Sequence, residues 1–224
     1  MARAKRVNKG ATPTEKLREK ILREALPHVA FDGWTDKMLK EAADRAGADD
    51  AEFKSAFPRG VPDALVYFSS EADRQMTEAV EAANLKTMKI RERVTFAVRQ
   101  RIEAVAGHKE AARRAAAVFA LPMHALDGAT CVYRTCDAAW RAIGDTSTDF
   151  NFYTKRALLS GVYTSTMLYW FADNGEDNKD TWKFLDDRIA NVMQIEKVKA
   201  QVTKLAEGLP NPLTILGALR YPKR

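Results

Sequence analysis

The residues best suited to catalysis or metal binding are few and widely spaced. The only histidines are His28, His108 and His124, and none has a carboxylate or a cysteine at a ligand spacing. Asp186 and Asp187 are adjacent, so on a helix they project about 100° apart and cannot form a general acid and base pair. No glycine-rich phosphate loop or Gly-x-Ser-x-Gly motif occurs. We therefore expect a protein that is not an enzyme and that needs no cofactor or metal.

The two cysteines, Cys131 and Cys136, fall within one helical pattern. Five residues apart on a helix, they point about 140° away from each other and cannot pair. With no other cysteine in the chain, a reducing compartment is the simplest expectation. We expect no secretory signal, because the N-terminus is basic with no apolar run after it, and we expect no bilayer-spanning segment, because no apolar run reaches about 18 residues.

The formal charge of +6 is concentrated at the two ends of the chain. The first nine residues carry +4, the last eleven carry +3, and the body between them is close to neutral. Basic ends of this kind suit an anionic membrane surface or nucleic acid, although a solubilising tail would have the same composition.

Apolar residues recur at helical spacing, and no stretch alternates as a strand would, so we predict an all-α fold. We expect a disordered basic arm (1–13), a three-helix front domain (14–60), a helical body (61–207) and a tail (208–224). Thr14 is the expected N-cap of the first helix, and Pro27 should disturb its last turn. The predicted helices cover residues 14–29, 36–46, 50–57, 62–85, 88–105, 109–121, 124–143, 149–171 and 180–207.

The front domain resembles the helix-turn-helix domain of TetR-type regulators in the order of its helices and turns. Its third helix, however, begins Asp49-Asp50-Ala51-Glu52, and residues 32–55 carry a net charge of −3. Carboxylates at a helix start stabilise the helix dipole but repel a phosphate backbone. We therefore expect a degenerate helix-turn-helix that binds no nucleic acid.

The helix over 149–171 is apolar on nearly every side, which is unusual for a surface helix. Such a helix must be buried on two sides, either in a core or against a ligand or second chain. Aromatic and methionine side chains on this helix and its neighbours suit a deformable apolar cavity, and equally a plain core. The candidate lipid-binding residues are Tyr133, Cys136, Trp140, Leu159, Val162, Tyr163, Met167, Trp170, Ile189 and Met193.

Three stretches resemble the Coq-nine family of lipid-binding accessory proteins in ubiquinone biosynthesis. They are Met88-Lys89-Ile90-Arg91-Glu92-Arg93-Val94, Tyr133-Arg134-Thr135-Cys136-Asp137 with Trp140, and above all the block from Gly144 to Arg156. The resemblance continues through Asp180-Thr181-Trp182 and covers roughly residues 17 to 200. It implies a TetR-like dimer that has lost DNA binding and holds an isoprenoid lipid or ubiquinone precursor in its C-terminal body.

The resemblance also implies a partner, a di-iron demethoxyubiquinone hydroxylase at the membrane. The partner-facing patch of the family maps onto Asp149, Phe152, Tyr153 and Arg156, with Phe152 where animal members carry Trp. The tail matches the membrane-binding helix of the family only loosely, and a disordered tail fits nearly as well. Its candidate membrane residues are Leu213, Ile215, Leu216, Leu219 and Arg220.

The resemblance places the chain in the bacterial cytoplasm beside the inner membrane, with the mitochondrial matrix side of the inner membrane as the alternative. The sequence also fits two other functions. One is a ligand-responsive transcription regulator of TetR type, and the other is a structural helical dimer without a ligand.

Overall fold

The computed structural model describes residues 12–146 and 150–207, and within the second range it describes side chains for 152–194. In these ranges the chain forms nine α-helices and no strand, which confirms the all-α class. The helices are α1 (Pro13–Asp32), α2 (Asp36–Arg45), α3 (Asp50–Ala56), α4 (Val61–Ala82), α5 (Ile90–Glu103), α6 (Lys109–Phe119), α7 (Ala125–Ala142), α8 (Phe150–Ala172) and α9 (Lys179–Glu207).

The start of α1 differs from the prediction. Thr12 is the N-cap: its hydroxyl accepts a hydrogen bond from the Glu15 amide at 3.2 Å, and the Glu15 carboxylate accepts one from the Thr12 amide at 2.7 Å. Pro13 follows at the first helical position, where no amide hydrogen is needed. The prediction of Thr14 as the cap is therefore wrong, because the reciprocal pair of Thr12 and Glu15 begins the helix earlier.

The end of α1 also differs from the prediction, because the helix continues through Pro27 to Asp32. Val29 lies beyond the proline and is completely buried, so core packing holds the last turn in place. The helix ends at Gly33, whose φ of 69° suits only glycine, and whose amide donates to the Val29 carbonyl at 3.0 Å.

Polar contacts join the front domain internally and to the helical body. The Arg18 guanidinium on α1 donates to the Ala56 carbonyl at the end of α3, at 2.7 Å. The Trp34 indole donates to the Ala111 carbonyl of α6 at 3.0 Å, and Arg114 of α6 donates to the Ala30 carbonyl of α1 at 2.8 Å. The front domain and the helical body also share one continuous hydrophobic core.

The helical body is built around α4, which packs against α5 and α7, while α8 packs between α7 and α9. The buried residues of α4 recur every three or four positions, including Leu65, Phe68, Ala72, Met76 and Val80. This spacing gives α4 one continuous apolar face.

On α7, Cys131 and Cys136 are both buried and both free, as their spacing predicted.

Candidate functional site

A cavity of about 300 Å³ lies among α4, α5, α6, α7 and α8. Its walls are mostly apolar, and it exists because α6 presents alanines where larger side chains would be needed to reach α8. The α6 side is Ala112, Ala115, Ala116, Phe119 and Ala120, and the α8 side is Tyr163, Thr164, Met167, Leu168 and Phe171. The volume is at the lower end of the range for small-molecule pockets, roughly 300–1,000 Å³.

The cavity opens to the surface between the end of α6 and the C-terminal part of α8. Ala120 and Leu168 both line it and are both exposed, with 65% of Leu168 accessible to solvent. We call these two residues the mouth. The chain continues from the mouth through three more exposed apolar residues, Leu121, Met123 and Leu126. Exposed apolar side chains grouped beside a cavity are typical of a surface that contacts a lipid or a partner.

Polar side chains of Arg101, Thr135 and Tyr163 line the inner part of the cavity, and Asp73 is hydrogen-bonded to two of them. We call these four residues the polar end. The Asp73 carboxylate accepts hydrogen bonds from the Arg101 guanidinium at 2.6 Å and from the Thr135 hydroxyl at 2.7 Å. Arg101 is only 4% exposed, and its side chain lies 5.7 Å from the centre of the Tyr163 ring. This buried ion pair links α4, α5 and α7 at the edge of the cavity.

Burial raises the pKa values of two groups at the polar end. It raises the pKa of the Asp73 carboxyl, while the Arg101 and Thr135 interactions act in the opposite direction. It also raises the pKa of the Tyr163 phenol, so this hydroxyl keeps its proton at neutral pH. The polar end therefore combines a charged pair with a neutral hydroxyl.

Only two of the candidate lipid-binding residues, Tyr163 and Met167, line the cavity. Six others are buried in the surrounding core: Cys136, Trp140, Leu159, Val162, Trp170 and Ile189. Tyr133 and Met193 are exposed on the outer surfaces of α7 and α9. The difference arises because α8 has core on one side and the cavity on another, and its uniform apolar composition does not distinguish the two.

Most of the cavity wall was not among the predicted residues. The unpredicted part includes Arg101 of α5, the alanines of α6, and Gly128 of α7, where an added Cβ would lie 2.8 Å from the Phe119 Cβ. The available signal was the alanine-rich composition of the helix predicted over 109–121, because small side chains leave space beside a helix backbone.

The predicted partner patch is only partly at the surface. Tyr153 is 66% exposed and Phe152 is half-buried, with their ring centres 5.1 Å apart. Arg156 is only 2% exposed, so its side chain is not available as a surface contact. Asp149 lies outside the described residues.

Arg156 is drawn inward by two acids. Its Nε donates to Asp137 at 2.7 Å, and its Nη1 lies 3.4 Å from an Asp145 oxygen and donates to the Phe152 carbonyl at 3.0 Å. Arg156 and Phe152 are four residues apart and lie on one face of α8. In the structure the buried Arg156 side chain packs beneath the Phe152 ring and supports it.

The candidate membrane residues Leu213, Ile215, Leu216, Leu219 and Arg220 lie outside the described residues. In the part of the chain that is described, no helix is both long and apolar enough to span a bilayer. Across the same part, no group of three or more His, Cys, Asp or Glu residues could hold a metal ion.

A crystal structure of a TetR transcriptional regulator from Nitrosomonas europaea has a similar fold. It superposes with a TM-score of 0.64 over 78% of this chain and 97% of its own length, at 18% sequence identity. At this identity the likeness concerns the fold alone, and it confirms the TetR-like architecture.

Sequence comparison gives a closer relationship. The COQ9 family model matches residues 125–196, which include α7, α8 and the first part of α9. The human ubiquinone biosynthesis protein COQ9, mitochondrial, is 29% identical over 87% of this chain and 63% of its own length. COQ9-B of Xenopus laevis is 30% identical over 87% of this chain and 69% of its own length.

The chain spans slightly less than two thirds of the human and rat relatives, 63% and 64% respectively. The matched part nevertheless includes the helices that form the cavity, and the family whose motifs were identified at 88–94, 133–137 and 144–156 is the one that the comparisons find. The chain belongs to the COQ9 family.

Proposed function

We propose that this chain is a non-catalytic accessory protein of ubiquinone biosynthesis that binds an isoprenoid lipid or a polyprenylated quinone precursor. The observation that carries the proposal is the apolar cavity among α4 to α8, which opens at Ala120 and Leu168. The names of the relatives, which are ubiquinone biosynthesis proteins, supply the pathway.

The physical basis of binding is the hydrophobic effect. Each methylene group moved from water into an apolar cavity contributes about 0.8 kcal/mol. The cavity is too small for a long polyprenyl chain, so only the head and the first isoprene units would lie inside it. The remainder would continue through the mouth, where Leu121, Met123 and Leu126 offer exposed apolar surface.

This arrangement suits a protein that works on a membrane surface. A lipid whose tail leaves through the mouth stays partly in the bilayer while its head is held by the protein. The exposed Tyr153 and the half-buried Phe152 would then contact the demethoxyubiquinone hydroxylase that receives the lipid. We also propose that the chain forms a homodimer, as the resemblance to the family implies.

The relatives are mitochondrial by name, which supports the mitochondrial inner membrane as the surface concerned. The bacterial inner membrane, expected first from the sequence, stays a prediction.

The experiment compares two neighbouring alanines of α6. Ala116 lines the cavity and Ala117 is exposed, so Ala116→Phe fills the cavity while Ala117→Phe adds the same ring outside it. The purified chain should carry isoprenoid lipid, detected by native mass spectrometry and lipid extraction. We expect Ala116→Phe to reduce the bound lipid at least tenfold and Ala117→Phe to leave it unchanged. A wild-type chain that is free of lipid and does not bind liposomes would contradict the proposal and favour a structural dimer.

A transcription regulator is the second candidate, favoured by the fold of the Nitrosomonas europaea protein. The first turn of α3 argues against DNA binding, because Asp49 caps the helix and Asp50 and Glu52 are exposed carboxylates that would repel phosphates. Lys40 of α2 is paired with Asp50. A salt-sensitive gel shift on promoter DNA that disappears on Lys54→Ala would support this candidate. We expect no shift.

A further inference from the structure

Two polar groups of the cavity have unused hydrogen-bonding capacity. Arg101 donates through Nε to Asp73 and through Nη2 to the Ser69 carbonyl and hydroxyl, at 3.3 Å and 3.0 Å. Among the described residues, neither its Nη1 nor the Tyr163 hydroxyl has a hydrogen-bond partner. No fully enclosed side-chain polar atom is left without a partner, so these two groups are accessible, and both residues line the cavity.

The two threonine hydroxyls of the cavity wall already have acceptors. Thr164 donates to the Ser160 carbonyl at 2.7 Å, and Thr135 donates to Asp73 at 2.7 Å. Arg101 and Tyr163 are 4% and 7% exposed, and both line a cavity whose other walls are mostly apolar. A ligand oxygen placed beside Arg101 and Tyr163 would accept hydrogen bonds from them. Elsewhere in the cavity it would lose its hydrogen bonds to water without replacing them.

The charge of the polar end favours a neutral ligand. The guanidinium of Arg101 is always charged, and Asp73 beside it at 2.6 Å balances that charge. A ligand carboxylate or phosphate would add an uncompensated buried charge, whereas a carbonyl or methoxy oxygen would add none.

The position of the polar end sets the direction of the ligand. Tyr163 and Leu168 are five residues apart on α8, or about 7.5 Å along the helix axis. Tyr163 is buried, while Leu168 forms part of the mouth. A ligand held at Tyr163 would therefore point its other end towards the surface.

We propose, on the basis of the lipid-binding function above, that the cavity receives its ligand head-first. A neutral ring oxygen accepts hydrogen bonds from Arg101 Nη1 and the Tyr163 hydroxyl, and the tail leaves past Leu168. The polar end thereby selects an oxygen-bearing ring over a plain hydrocarbon and over a fatty-acid anion.

The test uses the delipidated full-length chain and three probes. They are ubiquinone-1, a sesquiterpene hydrocarbon that has no oxygen, and decanoate. Tyr163→Phe removes the hydroxyl and keeps the ring, and Tyr169→Phe is the matched control, because Tyr169 is on the same helix, is exposed and does not line the cavity. Ubiquinone-1 binding is followed by quenching of tryptophan fluorescence, and the other probes by competition.

We expect Tyr163→Phe to weaken ubiquinone-1 binding about fivefold, as loss of one hydrogen bond to a neutral group would. The affinity for the hydrocarbon should not change, and Tyr169→Phe should behave as wild type with all probes. The carbonyl stretching band of bound ubiquinone-1 should move to lower wavenumber in the wild type and return part of the way in Tyr163→Phe.

Equal quinone affinity and an unchanged carbonyl band in wild type and Tyr163→Phe would overturn the head-first orientation while leaving lipid binding intact. A second contrary result would be decanoate that binds as tightly as ubiquinone-1 and loses affinity in Tyr163→Phe. That result would overturn the preference of the polar end for a neutral ligand head group. Quinone and hydrocarbon binding that both survive Ala116→Phe would overturn the cavity as the binding site. A wild-type chain that binds neither ubiquinone-1 nor the hydrocarbon would overturn the proposed function.

Discussion

The guanidinium of Arg156 lies 3.4 Å from the centre of the Phe152 ring while its nitrogens bind Asp137 and Asp145. Phe152 is thereby held on a buried, charged support, and its ring packs against the exposed Tyr153. The start of α8 at Phe152 and Tyr153 is in this way attached to the core by an ion-pair network.

Substitution of Arg156 should therefore lower the stability of the protein. Arg156→Ala leaves Asp137 without its buried partner and removes the support of Phe152, whereas Lys155 still binds Asp145 at 2.8 Å. We expect the free energy of unfolding to fall by about 3 kcal/mol, measured by urea denaturation.

The control for this prediction is Arg141→Ala. Arg141 binds the same carboxylate, Asp137, at 2.8 Å, but its side chain is 70% exposed. Exposed pairs contribute less than about 1 kcal/mol. Equal losses for the two variants would show that burial does not decide the strength of this network.

Tyr153 should be a contact residue for the hydroxylase. It is 66% exposed, so Tyr153→Ala should leave the unfolding midpoint unchanged, but it should weaken binding to the hydroxylase at least tenfold if the ring is an interface anchor. Binding can be measured by surface plasmon resonance with the purified partner.

Tyr133→Ala is the matched control, because Tyr133 is an exposed tyrosine on α7 outside the predicted patch. A loss of affinity in Tyr133→Ala that equals the loss in Tyr153→Ala would move the partner surface away from the start of α8.

The helices could be predicted from the sequence because hydrophobic periodicity and turn residues are local signals. All the predicted bounds lie within three residues of those observed. The start of α1 was missed because Pro13 and Thr12 read as part of the basic arm, although Thr12 and Glu15 form a capping box three residues apart.

The cavity could not be predicted in the same way, because its walls come from helices that are far apart in the sequence. Asp73, Arg101 and Thr135 are separated by about thirty residues each, and only packing brings them together. On α8, Trp170 and Met167 have similar hydrophobicity, yet one is in the core and the other in the cavity wall. Periodicity identifies an apolar face without showing what the face meets.

The buried thiol of Cys136 should make the protein less stable at high pH. Burial raises its pKa from 9.0 to about 11, although the Ser160 hydroxyl acts in the opposite direction. The unfolded thiol ionises first, so the stabilising contribution is complete below pH 9 and is lost as the pH rises towards 11. At about 1.4 kcal/mol per pKa unit, the total loss is about 2–3 kcal/mol.

The measurement is the free energy of unfolding between pH 8 and pH 11, compared with that of Cys136→Ala. Cys131 and Tyr163 also have raised pKa values, but they are present in both proteins, so the difference in slope isolates Cys136. Parallel curves for the two proteins would show that the Cys136 thiol does not titrate differently in the folded state.

Two helical glycines should respond in opposite ways to the same substitution. At Gly128 of α7 an added Cβ would lie 2.8 Å from the Phe119 Cβ and 3.3 Å from its carbonyl oxygen, so α6 and α7 would have to separate beside the cavity. We expect Gly128→Ala to destabilise the protein by about 1–3 kcal/mol. It should also weaken lipid binding, because Phe119 forms part of the cavity wall.

Gly161 of α8 is exposed, and a Cβ there would meet nothing within 4 Å. Gly161→Ala should therefore raise the free energy of unfolding by about 0.5–1 kcal/mol, because alanine restricts the unfolded chain and favours the helix. Lipid binding should stay at the wild-type value, since Gly161 is absent from the cavity wall. Thermal denaturation and lipid extraction of both variants test the pair together. A neutral Gly128→Ala would mean that α6 can move away from α7 without cost, so close contact of these helices would not be what shapes the cavity.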